Sequence, residues 1–275
     1  MLNRSLLNLI LDIFRLAYCR PRTYTGPTVT REPTAPEIDL SIVMPTRNET
    51  ARLPATLRAI AAYQAAQGLS IEVVIADDGS TDGTLAFAQS LSMPFPIRAV
   101  RAHPHRGPGA AARAGVAQAG GKLVLFSDAD GPVPFTEIER LKAKLDEGYD
   151  VAAGSRVLDE RRLLVPQPPH RIWMGKIWRR CTEAAVPTGI QDTQCGFKLF
   201  TRAAAKDIFV GLLSSGFGFH VETLWRAQKL GYRVAEVPVY WRDIEGSRIR
   251  LVRDPLHMLM ELTAVATRDR IERRP

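Results

Sequence analysis

The feature that most constrains this chain is a rhythm: short apolar runs end in polar clusters, and segments of helical spacing lie between them. Leu40–Met44 runs into Pro45-Thr46-Arg47-Asn48-Glu49, Ile71–Ala76 into Asp77-Asp78-Gly79-Ser80, and Lys122–Phe126 into Ser127-Asp128-Ala129-Asp130. Thr50–Gln67, Thr84–Leu91 and Gly109–Ala119 have helical periodicity, and Ile97–Arg101, Phe135–Glu147 and Tyr149–Ala153 continue the alternation. Short apolar runs closed by turn residues read as strands buried on both faces. Strand–helix alternation then predicts an α/β fold, a mostly parallel sheet with helices on both faces. In such sheets ligands bind beyond the carboxyl ends of the strands. All three polar clusters fall at such ends, so the pattern predicts one site assembled from distant segments.

Asp128 and Asp130 offer carboxylate oxygens to a hard divalent cation, Mg²⁺ or Mn²⁺, that also takes phosphate oxygens. Alone, such a pair reads first as a turn with two solvated aspartates; its place after a buried strand reverses that preference in favour of the site. Asp78 can accept hydrogen bonds from a base or a ribose, and Gly79 lets the backbone approach closely. A capped turn between strand and helix accounts for the same residues. Neither GxGxxG after the first strand nor GxxxxGK[ST] occurs, which excludes the usual dinucleotide and P-loop sites. His103 and His105 lack a plausible third ligand nearby and read as loop residues, while Arg106-Gly107 can close over a ligand.

The length, 275 residues, suits one large α/β domain. Three cysteines, Cys19, Cys181 and Cys195, without a CxxC spacing argue against a disulfide framework or a thiolate zinc site and suit a reducing compartment. A net charge of +8 favours anionic partners, among which charge alone cannot choose, and a plain Arg-rich surface gives the same balance. Residues 151–180 carry seven basic and two acidic residues, with Pro-Gln-Pro-Pro at 166–169, and read as an irregular acceptor-binding stretch. Within it Trp173 and Trp178 are candidates to face lipid; Trp225 reads as core. Residues 1–19 place Leu2, Leu6, Leu9, Ile10, Ile13 and Phe14 on one helical face, an interfacial helix or one packed on the domain. The segment is too short and charged to span a bilayer and lacks a signal-peptide cleavage pattern. The expected organisation is an amphipathic helix and linker (1–36), a core domain (37–250) and a C-terminal amphipathic helix (251–275).

Taken in order and spacing, Pro45–Glu49, Asp77–Thr84, Asp128–Asp130 and Gly154-Ser155-Arg156 resemble family 2 glycosyltransferases, which have the Rossmann-like GT-A fold. The likeness is closer to the polyprenyl-phosphate branch, which attaches mannose or glucose to dolichyl phosphate. The segments Gln191–Phe200, Asp128–Gly131 and Trp241–Arg248 resemble the glucose-transferring members, and the likeness spans roughly residues 38–250. It implies a hexosyltransferase that moves a sugar from a nucleotide-diphosphate donor, UDP-glucose, to a polyprenyl phosphate, with Mg²⁺ or Mn²⁺. It implies a peripheral protein on the cytoplasmic face of a membrane, with no nucleic-acid partner. A GDP-mannose donor and a soluble or glycan acceptor remain the alternatives, and a non-catalytic nucleotide- or nucleic-acid-binding module is a rival against which the intact carboxylate motif argues.

By position, the resemblance implies that Pro45, Arg47, Glu49, Ala76 and Asp78 hold the nucleoside, with Arg106 over the donor. Asp128, Ala129 and Asp130 would hold sugar diphosphate, and both aspartates the metal. Arg156, Arg171, Lys198, Arg242 and Arg248 would engage donor or acceptor phosphates. A phosphate acceptor needs no strong base, and in-line attack inverts the anomeric carbon. A hydroxyl acceptor would need one, for which Glu222 is the candidate; a structural role for Glu222 is the alternative. Two positions depart from the mannose synthases: Pro132 stands where they have a metal-ligating Gln, and Arg47 where Tyr is common.

Overall fold

The computed structural model describes residues 37–102, 105–165, 168–244 and 253–272. The expected helix and linker of residues 1–36, together with His103 and Arg248, lie outside them. Chain order is β1 (Leu40–Thr46), α1 (Leu53–Gln67), β2 (Ile71–Asp77), α2 (Thr84–Ser90), β3 (Ile97–Arg101), α3 (Pro108–Gln118) and β4 (Leu123–Ser127). A short 3₁₀ turn at Phe135–Glu137 leads into α4 (Ile138–Asp146), then β5 (Val151–Ser155), β6 (Leu163–Val165) and α5 (Pro169–Ala185). The chain continues through β7 (Phe197–Thr201), α6 (Arg202–Val210), α7 (Phe219–Lys229), β8 (Val234–Pro238), β9 (Trp241–Arg242) and α8 (Arg253–Glu272).

Seven strands form one sheet in the order β3-β2-β1-β4-β7-β5-β8, and β6 pairs with β9 in a small ribbon. Every pairing in the large sheet is parallel except those of β7, which runs against β4 and β5. Successive residues of a strand point to opposite faces, and the two cores show it. Ile42, Met44, Val73, Ile75 and Leu125 pack with Leu53, Leu57 and Ile60 of α1 and Ile138 and Leu141 of α4. Val43, Val74, Val124 and Phe126 pack on the other face with Val116 of α3, Ile208 and Phe209 of α6, and Phe219 of α7. The expected α/β GT-A fold, sheet sandwiched by helices, is therefore the observed one.

The stretch expected to be irregular ends in a helix: its last 12 residues, 169–180, belong to α5, which runs on to Ala185. Its prolines mislead because Pro169 stands in the first helical turn, where a missing N–H costs nothing. Trp178, Cys181 and Ala185 of α5 pack with Val221 and Trp225 of α7 and Leu262, Val265 and Ala266 of α8. Trp178 thus turns inward, whereas Trp173 is 65% exposed beside exposed Ile172 and Ile177. The same division holds in α8, whose opposite side leaves Leu256, Leu259 and Met260 exposed. Among the described residues no helix is long and apolar enough to cross a membrane.

Candidate active site

Strands β2, β1 and β4 deliver Asp78, Arg47 and Asp128 to one edge of the sheet because all three are parallel. Strand β7 is reversed, so its beginning, not its end, lies at that edge: Ser127 pairs with Phe197, and the Asp128 N–H donates to the Gly196 carbonyl at 3.0 Å. The loop 191–196 is thereby brought under the metal-type carboxylates. Gly196 is pressed against Asp128 so closely that an added Cβ would overlap all three atoms of its carboxyl group.

Asp128 and Asp130 are both half-buried. Burial, and then the neighbouring Asp130 charge, push the Asp128 carboxyl up to about 7. Burial also raises Asp130, opposed by Arg52. A crowded carboxylate pair, both members raised by burial and one pressed against a glycine, fits a divalent cation. Among the described residues no cluster of three or more His, Cys, Asp or Glu side chains is arranged to hold one. Pro132 contributes only its carbonyl, which accepts the Arg242 backbone N–H at 3.0 Å.

Arg52 was not singled out by the sequence. It starts α1, forks the Glu49 carboxylate at 2.5 and 2.7 Å, and reaches Asp130 Oδ2 at 3.3 Å. The signal was present: Glu and Arg three apart at a helix start are neighbours in space. Glu49, expected to meet the nucleoside, is therefore the brace of this arginine.

The nucleoside side needs a similar correction. Asp78 is buried, and its Oδ1 accepts the backbone N–H groups of Arg106 and Gly107, each at 3.0 Å. Its Oδ2 lies 2.6 Å from His105 Nδ1, and Arg47 donates to His105 Nε2 at 2.7 Å, which assigns the proton to Nδ1. Asp78 thus shapes the 105–107 segment rather than standing open to a ligand, and His105, read as a plain loop residue, ties Arg47 to it. Pro45 stays half-buried at the strand end, and Arg47 and Arg106 are exposed at the rim. Ala76 is fully buried and packs toward Gly115 of α3, so its side chain is core. Ala129 is core as well, its carbonyl accepting the Thr56 hydroxyl at 2.8 Å.

On the other side stand the expected phosphate-binding residues and the candidate base; two of the former, Arg156 and Lys198, and the base Glu222 have other partners. Arg156 follows β5, and its fork is taken up by Asp192 at 2.7 and 2.8 Å. Burial works against the Asp192 charge, yet Arg156 outweighs it and holds that carboxyl below its usual range. Lys198 is wholly buried and donates to the carbonyls of Thr193 and Cys195 at 3.1 and 2.6 Å, too deep for a phosphate contact. Burial lowers its ammonium to about 8. Glu222 is also buried and accepts the backbone N–H groups of Leu213 and Ser214, which leaves it a loop anchor instead of a base. Arg171 and Arg242 remain at the surface of the site. Arg171 bonds Asp243 at 3.1 Å, next to Arg242, and Asp243 is close enough to raise Asp130.

The profile of the family described as glycosyl transferase family 2 matches residues 41–209. The chain is 34% identical over 234 residues to the dolichyl-phosphate β-glucosyltransferase of Mus musculus, covering 78% of this chain and 71% of that protein. It is 32% identical over 251 residues to that of Saccharomyces cerevisiae, covering 83% and 74%. Among solved structures, the fold is similar to a glucosyl-3-phosphoglycerate synthase from Mycobacterium tuberculosis bound to Mn²⁺, UDP and glucosyl-3-phosphoglycerate, with TM-score 0.61 at 20% identity over 83% of this chain and 78% of that one. A mannosyl-3-phosphoglycerate synthase from Rubrobacter xylanophilus gives TM-score 0.58 at 18% identity over 86% and 76%. The profile spans more than half of the chain and the relatives more than three quarters of it: this protein belongs to glycosyl transferase family 2.

Proposed function

We propose that this protein transfers glucose from UDP-glucose to a polyprenyl phosphate of the dolichyl type, with inversion, at a membrane surface. The observation that carries the reading is the likeness, over more than four fifths of the chain, to the dolichyl-phosphate β-glucosyltransferases of Drosophila melanogaster and Saccharomyces cerevisiae. The occupation of Glu222 supports it. With that carboxylate spent on backbone N–H groups, the candidate base for a hydroxyl acceptor is withdrawn, and an acceptor that arrives ionised suits the site.

In this reading Arg47 and the Asp78-supported 105–107 segment border the nucleoside, and Asp128 and Asp130 would hold Mg²⁺ or Mn²⁺. When bound, that cation supplies Lewis-acid charge to the departing diphosphate. Arg52 keeps Asp130 in place, and Gly196 fixes the position of Asp128. Arg242 and Arg171 offer guanidinium forks to the acceptor phosphate, a geometry that Lys does not reproduce. An acceptor oxygen forms the new bond to the anomeric carbon as the bond to the diphosphate oxygen breaks, and no proton need be removed. The exposed Trp173 and Ile172 lie on α5, which also carries Lys176, Arg179 and Arg180, and the exposed Leu256, Leu259 and Met260 lie on α8. Apolar side chains beside cations suit the surface of an anionic bilayer.

The test is a transfer assay with Mn²⁺ or Mg²⁺, offering labelled UDP-glucose and GDP-mannose, each with and without polyprenyl phosphate. Glucose label entering the organic phase, and lost in Asp130→Ala, is the expected result. Mannose label instead moves the donor to GDP-mannose. Donor hydrolysis without a lipid product removes the acceptor.

A further inference from the structure

The 105–109 segment is held at both ends. At one end Asp78 takes the backbone N–H groups of Arg106 and Gly107. At the other, Gly109 N–H donates to the Ser215 carbonyl at 2.7 Å, and Ala110 N–H to the same oxygen at 3.3 Å. Nothing larger than glycine fits between the two strands of chain: a Cβ on Gly107 would meet Ser215 O at 2.6 Å, and one on Gly109 would meet Ser214 O at 2.5 Å.

The loop that carries Ser215 is in turn clamped from behind by α8. Glu261 is nearly buried, and its carboxylate accepts the Gly216 N–H at 2.6 Å and the Gly218 N–H at 2.8 Å, one on each oxygen. Here too the fit excludes a side chain. A Cβ on Gly216 would meet His257 Nδ1 at 2.6 Å, and one on Gly218 would meet the Glu261 Cβ at 2.6 Å. Bonds from backbone N–H groups to an ionised carboxylate are roughly twice as strong as neutral ones, and two of them here hold the loop. Glu222 of α7 holds the same loop two residues earlier, at Leu213 and Ser214.

We propose that Glu261 is a positioning residue for the nucleotide donor: through Gly216 and Gly218 it sets the Ser215 carbonyl, and so the 106–109 segment at the nucleoside's edge. The C-terminal helix is then a strut of the donor site as well as a surface element. The inference rests on the placement of the nucleoside beside Arg47 and Arg106 given above.

The experiment measures calorimetric binding of UDP and of GDP, each with Mn²⁺, to the full chain carrying Glu261→Ala or Glu261→Gln, together with donor and acceptor KM. The control is Asp269→Asn. Asp269 also ties α8 to α7, bonding the Trp225 indole N–H at 2.8 Å and Lys229 at 2.9 Å, about two turns along α8 from Glu261. Glu261→Ala is expected to weaken binding of the preferred nucleotide about ten-fold and to raise donor KM by the same factor, with acceptor KM unchanged. Glu261→Gln, which keeps one accepting oxygen, falls between, and it serves alone if the alanine variant does not fold. Asp269→Asn lowers Tm and leaves nucleotide affinity at the wild-type value. A lowered Tm in the Glu261 variants with unchanged nucleotide affinity overturns the proposal, as does an equal loss of affinity in Asp269→Asn. Wild-type protein that binds nucleotide but transfers no sugar to lipid refutes the proposed function and leaves this inference standing. Wild-type protein that binds neither nucleotide overturns both.

Discussion

Gly196→Ala is the sharpest perturbation the site offers, because it adds one methyl group and alters no charge. Gly196 does not sit in the left-handed region, so alanine is free to adopt its backbone conformation and the effect is purely steric. Ordinary contact begins near 3.4 Å, whereas the new methyl would overlap the whole Asp128 carboxyl. Either the carboxylate or the 195–197 backbone must give way by about 1.5 Å, and a shift of ~1 Å in a reacting group costs about 100-fold. The fold loses less, since Asp128 is only half-buried; overpacking of this kind costs about 1–3 kcal/mol. The expected result is transfer reduced by about 100-fold, Mn²⁺ binding weakened, and a cooperative melt retained. Gly175→Ala is the control: nothing lies within 4 Å of its added Cβ on α5, so activity stays at the wild-type level. Transfer within about three-fold of wild type in Gly196→Ala, with Mn²⁺ affinity unchanged, would refute the placement of Asp128 at the reacting diphosphate.

Other consequences follow from charge. With Asp128 raised to about 7, protons compete for the metal site, so Mn²⁺ affinity should fall as pH drops below about 7 and level off above it. A carboxyl raised in the folded state stabilises the metal-free protein at low pH and loses that contribution as pH rises from about 4 to about 7. Melting curves across that range should therefore show a smaller decline in Asp128→Asn than in wild type; parallel curves would exclude the shift. Arg156→Ala strands the buried Asp192 carboxylate, a loss of about 3–5 kcal/mol, and should lower Tm by about 10 °C; an unchanged Tm would show that Asp192 finds another partner. Trp173→Ser should reduce co-sedimentation with anionic vesicles while leaving nucleotide binding intact, and undiminished sedimentation would remove α5 from the membrane contact.

The half of the fold that repeats was legible because each unit carries its own signal. Leu40–Thr46, Ile71–Asp77 and Leu123–Ser127 are apolar runs with nothing else to be, and their polar ends mark the site. Beyond residue 155 the signals conflict. A proline cluster and seven basic residues hide α5, whose short inward stripe of Trp178, Cys181 and Ala185 is too sparse to read as a helical face. At the site, identity was legible and partnership was not. Asp128 and Asp130 stand out as a pattern, but that Asp78 serves the 105–107 segment, that Lys198 points into the core, and that Glu222 anchors a loop depend on contacts between residues 5 to 29 positions apart. Gly196 gave no warning at all, since a glycine between Cys195 and Phe197 acquires meaning only when Asp128 lies against it.

The reversed strand explains why one motif arrives from so far along the chain. In a purely parallel sheet each strand brings only the loop that follows it to the ligand-binding edge. Strand β7 brings the loop that precedes it, so Asp192 through Gly196 are inserted between Asp128 after β4 and Arg156 after β5. The edge then reads, across the sheet, as Asp78, Arg47, Asp128, Gly196 and Arg156, with Arg242 reached from β8 through β9. In the reading proposed above, the exposed Arg47 lies on one flank and Arg242 on the other, with the carboxylate pair between them, the order in which a donor's nucleoside, diphosphate and incoming acceptor would lie for in-line displacement. A parallel β7 would leave the 191–196 loop at the opposite edge and Asp128 without the glycine that fixes it. The antiparallel insertion thus ties the topology of the sheet to the carboxylate pair at its edge.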